Sequence, residues 1–178
     1  MSDEPQIFTI GHSTRSIAEF CDLLRCGPVE MVVDVRTVPR SRHNPQYNED
    51  VLGGELSSYQ LGYTRIAKLG GLRGRSPEVP PGVNAFWENQ SFHNYADYAL
   101  SDEFAEALEQ LEQLSSSRRC AIMCAEAVWW RCHRRIIADY LLARGRGVLH
   151  LMGTDRLDPA KLTPAAKVVG ERIVYPRV

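Results

Sequence analysis

A chain of 178 residues with an apolar fraction of 44% and a charged fraction of 24% has the material for one hydrophobic core and resembles neither a disordered nor a fibrous composition. Its 21 basic and 22 acidic residues leave a formal charge of −1, too weak a field for the phosphate-dominated grip of a non-specific nucleic-acid binder, so any anion site has to be local. The first ten residues, MSDEPQIFTI, carry two acids and no long apolar run, which leads us to expect a cytoplasmic protein without membrane contact, its five cysteines held as reduced thiols.

In chain order, residues 6–10 (QIFTI) and 31–35 (MVVDV) are short β-branched runs that predict buried strands. Between them Ser16-Ile17-Ala18-Glu19 spells a capping box, Ile17, Phe20, Leu23 and Leu24 recur at helical spacing, and Gly27 predicts a left-handed stop. A strand, helix, strand unit of this kind is parallel and right-handed. Residues 37–48, broken by Pro39 and Pro45, read as a loop; a helix is expected near 50–59 and a strand at 63–66. The stretch 68–84 (KLGGLRGRSPEVPPGVN) is too rich in Gly and Pro for a regular element and predicts a long lid or binding loop across one face. Helices are expected at 92–100 and again from 101, where Phe104, Leu108, Leu111 and Leu114 form one apolar stripe that Ser115 to Ser117 end. Residues 120–124 (CAIMC) predict a central strand, 134–144 a helix closed by Gly145, and 148–151 a further strand. Asp158-Pro159 and Thr163-Pro164 each look like an N-cap followed by a first-turn proline, and IVYP at 173–176 like a last strand. The alternation predicts a single-domain, three-layer α/β sandwich around a mostly parallel sheet.

Three polar groups follow three predicted strands: Gly11-His12-Ser13, Asp34-Val35-Arg36 and Cys124-Ala125-Glu126. Because ligands of open parallel sheets bind at the carboxyl ends of the strands, all three are expected to meet on one edge. Each residue also has a plainer use. Cys124 is either a small buried hydrophobe or a nucleophilic thiol activated by a helix start and by Arg131, His133 and Arg134. Glu126 is either an ion-pair partner of Arg131 or Arg134 or a general base, and His133, beside Cys132, is a candidate for acid–base work. Asp34 and Arg36 either pair with each other or touch a ligand. His12 and Ser13 follow Gly11, a residue that permits a tight turn. Arg40, with Arg42 and His43, adds positive charge on the loop after the second strand, and Trp129 and Trp130 serve as packing or as a stacking platform. Cys124, Cys132, His12, His133 and His150 offer soft and imidazole groups for a metal, but no Cys-x-x-Cys or His-x-x-x-His spacing occurs, and neither G-x-G-x-x-G nor a P-loop is present.

The ordered series Thr9-Ile10-Gly11-His12-Ser13, Asp34-Val35-Arg36 with Pro39, Ser41 and Asn44, Leu69-Gly70-Gly71, Cys124-Ala125-Glu126 and Cys132-His133-Arg134 resembles the domain of unknown function 488 family over roughly residues 7–151, with residues 152–178 as an extension. The resemblance implies an α/β domain whose blocks line one pocket; it carries no reaction and no cofactor. A looser likeness is to rhodanese-type and cysteine-phosphatase folds, although six residues separate Cys124 from Arg131 where the phosphatase pattern has five. Three functional expectations follow. The first is a hydrolase or transferase acting on a phosphate-bearing small molecule, nucleotide or nucleic-acid end, with Arg36, Arg131 and Arg134 holding the anion and Cys124, Glu126, His133, Asp34 and His12 around the chemistry. The second is a nucleotide- or nucleic-acid-binding module without turnover, and the third a metalloprotein with Cys and His ligands.

Overall fold

The structure, a computed structural model, describes residues 6–177. It is an α/β sandwich built on a six-stranded sheet. In chain order the elements are β1 (Ile7–Gly11), α1 (Ile17–Arg25), β2 (Met31–Asp34), α2 (Glu49–Ser57), β3 (Gly62–Arg65), α3 (Gln90–Tyr98), α4 (Asp102–Ser117), β4 (Cys120–Cys124), α5 (Arg134–Ala143), β5 (Val148–Gly153), β6 (Arg156–Pro159), β7 (Lys167–Val169) and β8 (Arg172–Val174). The strand order is β3-β2-β4-β1-β5-β6, with β7 and β8 in a separate hairpin. All pairings from β3 to β5 are parallel, and only β6 runs antiparallel, against β5.

Apolar side chains divide between the two faces of the sheet. Phe8, Ile10 and Val32 pack with Phe20, Leu23 and Leu24 of α1 and Leu52 and Leu56 of α2. On the other face Ile7, Val33 and Ile122 pack with Tyr95 of α3, Phe104, Leu108 and Leu111 of α4 and Ile136, Ile137 and Leu141 of α5. The parallel strands are covered on both sides and therefore read as nearly continuous apolar runs. Chain crossovers leave β1 and β2 through α1 and α2 on one face and leave β4 through α5 on the other. The carboxyl ends of β1, β4 and β2 consequently border a switch in connection side, where an open sheet leaves a crevice.

The capping box at Ser16 and Glu19 is formed in both directions. Three expectations are corrected. Gly27 is not left-handed; a Cβ there would lie 2.7 Å from the Phe8 ring, so close packing excludes a side chain. Asp158-Pro159 does not start a helix but closes β6, an edge strand where a missing N–H is tolerated. Thr163-Pro164 opens only a turn, because the Thr163 N–H donates to the buried Asp139 carboxylate (2.9 Å) and holds the segment against α5. IVYP supplies Ile173 and Val174 to β8, whereas Tyr175 leaves the strand and donates to Asp139 (2.7 Å). Gly145 does adopt a positive φ of 83° after α5. Among the described residues no helix is long and apolar enough to cross a membrane.

Candidate functional site

Register brings the predicted groups together. Gly11 lies opposite Cys124 and Asp34 opposite Met123, so the chain leaves β1, β2 and β4 at one level. The segment after β4 is laid across the end of β1: His12 N–H donates to Cys124 O (2.9 Å) and Ser13 N–H to Ala125 O (3.0 Å). This is why residue 11 is glycine. A Cβ on Gly11 would stand 1.8 Å from the Glu126 carbonyl oxygen, and the role is close backbone approach rather than the tight turn expected from sequence. The positive φ falls instead on Ser13, at 48°.

A cavity of about 310 Å³ opens at this edge, lined by Arg36, Thr37, Val38 and Arg40 after β2, by Gly71 and Leu72 of the glycine loop, by Ser91, Phe92 and Tyr95 of α3, and by Cys124, Ala125, Glu126, Arg131, Cys132 and His133. Six of the ten residues singled out from sequence therefore face it: Arg36, Arg40, Cys124, Glu126, Arg131 and His133. Phe92, Tyr95, Val38 and Leu72 give it apolar walls, while the exposed Arg40, Glu126 and Arg131 stand about its mouth. Glu126 does not form the ion pair considered for it; its backbone oxygen, not its carboxylate, accepts from Arg134 (2.7 Å). Among the described residues nothing accepts from the backbone N–H groups of Ala125, Glu126, Ala127 and Val128.

Four of the ten lie behind the lining. Asp34 is fully buried and engaged: Oδ1 accepts from Arg36 N (3.0 Å) and Nε (2.9 Å), and Oδ2 from Arg36 Nη2 (2.7 Å) and the Tyr63 hydroxyl (2.6 Å). The carboxylate thus takes the Nε–Nη2 edge of Arg36, whose Nη2 also donates to the Tyr47 carbonyl (2.7 Å). His12 donates from Nδ1 to Ser13 O (2.9 Å), stacks on Tyr47 with ring centroids 4.2 Å apart, and presents its Nε2 lone pair to Arg36 Nη1 (3.4 Å). Burial pushes its pKa below the ordinary value, and it is a neutral support for Arg36. Ser13 contributes its backbone.

Arg134, the fourth, is the largest fully buried side chain of the site, at 0% exposure. Its Nε donates to Cys124 Sγ (3.1 Å), its Nη1 to Thr9 Oγ1 (3.1 Å), and its backbone N–H to Cys132 Sγ (3.4 Å). Among the described residues no carboxylate contacts this guanidinium. A cation buried this deeply needs a counter-charge, and the only ionisable acceptors in reach are the two sulfurs. Cys124 Sγ–H donates to the Glu126 carbonyl (3.7 Å), Cys132 Sγ lies 3.4 Å from His133 Nδ1, and each thiol shifts the pKa of the other. Burial pushes Cys124 up, and the neighbouring thiolate pushes it further. At Cys132 burial acts the same way, but the neighbouring Cys124 thiol and the charge and N–H groups of Arg134 outweigh it and bring the thiol well below its usual range.

His133 completes the group. Its Nε2–H donates to Val35 O (2.7 Å), which fixes the tautomer and leaves the Nδ1 lone pair 3.4 Å from Cys132 Sγ. Burial lowers its pKa, keeping the ring neutral. The arrangement is a sulfur nucleophile, an adjacent imidazole and a third group orienting the imidazole. Gly71 is glycine because a Cβ would lie 2.5 Å from His133 Nδ1. The loop carrying it is pinned: Leu72 N–H donates to Thr37 Oγ1 (2.8 Å), the Tyr95 hydroxyl to Leu69 O (2.9 Å), and Arg73 Nε to Gly70 O (3.1 Å).

Behind Arg134, Thr9 Oγ1 accepts from the guanidinium and therefore gives its own proton to His150 Nδ1 (2.6 Å). His150 stacks on Trp129 at 4.6 Å, and burial drives its pKa down to about 3. Trp129 is packing, as half of the sequence reading had it; Trp130 is 39% exposed. Tyr47, Tyr63, Phe92 and Tyr95 were not legible as site residues, since aromatic positions look like core; in the sequence His150 reads only as a possible metal ligand and Thr9 only as part of a family block. Cys132 stands out in the sequence beside His133, among the possible metal ligands and in the Cys132-His133-Arg134 block, but not as the nucleophile. No group of three or more Cys, His, Asp or Glu side chains among the described residues is disposed to hold a metal ion.

A parallel α/β sheet with a thiol, imidazole and arginine cavity at a connection switch defines the class. Residues 16–141 match the model of the domain of unknown function DUF488, and the chain belongs to that family. The β1 block Thr9–Ser13 and His150 fall outside the matched range yet complete the site. No curated protein and no solved structure matches the chain.

Proposed function

We propose that the protein is an enzyme of transferase or hydrolase type that acts on a small phosphate-bearing molecule, with Cys132 as nucleophile and His133 as the base that takes a proton from the second nucleophile. The observation that carries this reading is the single cavity lined at once by both thiols, His133 and Arg36, Arg40 and Arg131. Arg36 is held by Asp34 and supported by His12, and the unclaimed N–H groups of Ala125 and Glu126, both in the lining, add donors suited to phosphate oxygens. The apolar walls from Phe92, Tyr95, Val38 and Leu72 suit the organic part of such a molecule, a nucleobase included. In the first step the Cys132 thiolate forms an S–P bond as the P–O bond breaks, the leaving oxygen taking a proton from Glu126 or water. In the second, water or an acceptor hydroxyl gives its proton to His133 or Glu126 and displaces the sulfur.

The test is a panel of nucleoside monophosphates, sugar phosphates and p-nitrophenyl phosphate, scored for phosphate release or transfer, alongside thermal shift with inorganic phosphate. Turnover is expected to fall by about 10²–10⁴-fold on His133→Ala, in the range for a lost proton-transfer group. A phosphate ligand that raises the melting temperature but survives unchanged with the wild type would instead mark a binding module. No stabilisation by any phosphate compound would sink both readings.

A further inference from the structure

We propose that Cys132 and Cys124 are a thiol–disulfide exchange pair, Cys132 attacking and Cys124 resolving, that takes a small disulfide bearing carboxylates. The proposal shares the cavity with the phosphate reading but not its chemistry. Both sulfurs are held by the same arginine, one through Nε at 3.1 Å and the other through the backbone N–H at 3.4 Å. Both line the cavity, so a small molecule reaches them without opening the core. The remaining cysteines are placed differently. Cys21 and Cys120 are fully buried with thiols pushed up to about 11 by burial, and Cys26 sits at the end of α1. Arg40 and Arg131 at the mouth attract carboxylates, and the apolar wall accepts the body of the molecule.

The exchange runs in two balanced steps. Cys132 thiolate attacks one sulfur of the disulfide R–S–S–R, forming the mixed disulfide Cys132–S–S–R and expelling RS⁻. Cys124 then gives its proton to His133 or water and attacks the Cys132 sulfur, forming the internal disulfide and expelling a second RS⁻. The protein has lost two electrons and one proton, that of Cys124; the small disulfide has been reduced to two thiolates, which take up protons from solvent. Oxidation also removes the negative charge that Arg134 faces. A buried guanidinium is left with neutral partners only, so the oxidised form is penalised and the pair is a ready oxidant, its reduced form being the stabilised one.

The experiment incubates the full chain with glutathione disulfide over a range of glutathione ratios, maps the peptides, and measures melting temperature in the reduced and oxidised states. The expected wild-type product is a peptide pair joined through Cys124 and Cys132, with the oxidised protein melting below the reduced one. Cys124→Ser is expected to stop at a stable glutathione adduct on Cys132. Cys132→Ser should react at least about tenfold more slowly, since the thiolate and not the thiol is the nucleophile. Adducts confined to Cys26 in the wild type, or a disulfide that raises the melting temperature, overturn the proposal whether or not either variant folds. Inorganic phosphate added to the reduced wild type separates the two ideas. Stabilisation without exchange ends this one alone, and exchange without stabilisation ends the phosphate reading alone.

Discussion

Single residues carry the site through exclusion as much as through contact. Gly11 is the clearest case: the atom a Cβ would strike at 1.8 Å is a backbone oxygen, which no rotamer change relieves. Gly11→Ala is expected to destabilise by about 1–3 kcal/mol, the range for overpacking, and to displace the Cys124–Glu126 segment; urea unfolding at neutral pH measures the first effect. Asp34→Asn should cost more, about 3–5 kcal/mol, because it leaves Arg36 buried without its partner carboxylate. If the midpoint moves by less than it does for an exposed pair such as Asp22–Arg25, the Asp34–Arg36 bond is not the support described. Sequence marked Asp34, Arg36 and His12 as important because polar residues ending apolar strands are conspicuous. It could not show that Asp34 and His12 stand behind Arg36 rather than beside it, since that depends on which way a strand end turns.

At the scale of elements, local signals were reliable where local hydrogen bonds decide. The capping box of α1 formed because Ser16 and Glu19 satisfy each other's backbone whatever lies outside the helix. Ser16→Ala is expected to cost about 1 kcal/mol by chemical denaturation, without effect on any phosphate or disulfide reaction, since the cap lies outside the cavity lining. The same kind of signal failed at Asp158-Pro159 and Thr163-Pro164 because tertiary partners compete for the groups that read as caps. Asp158 is claimed by Arg156 at 3.2 Å and the Trp129 indole at 3.4 Å, and the Thr163 N–H by Asp139. Residues 68–84 were expected to be a loop over one face, and part of that loop does roof the cavity. What fastens it, the Thr37, Tyr95 and His133 contacts, comes from three distant elements.

For the whole molecule, acid sensitivity follows from three histidines held in neutral form, His12 and His150 buried and His133 half-buried. Burial lowers the pKa of His12 and His133 and brings His150 down to about 3, whereas in the unfolded chain each returns to about 6.5. Below that value the unfolded chain binds more protons than the folded one, so stability falls as pH falls. Each histidine contributes a slope of up to about 1.4 kcal/mol per pH unit until its folded-state pKa is reached, which for His150 means a loss running from about pH 6.5 towards 3. Asp139, whose carboxyl is pushed up by burial, acts in the opposite sense and offsets part of the loss. Urea midpoints at pH 7, 6 and 5 should decline steadily, and His150→Gln should flatten the decline; a pH-independent midpoint would contradict the neutral, buried assignment.

By itself the sequence determined the alternation of strands and helices, the apolar faces and the family, because each follows from patterns that repeat within one element. It also determined that polar residues gather at one sheet edge, since strand direction in a parallel fold places every carboxyl end together. Only the tertiary structure decided that Cys132 rather than Cys124 has the more acidic thiol, that Arg134 is sealed against both sulfurs, and that Arg36 is held by Asp34, His12 and the Tyr47 carbonyl. Those properties depend on which partner reaches a buried charge once water has left, and the partners lie on separate strands, loops and helices that no local pattern relates.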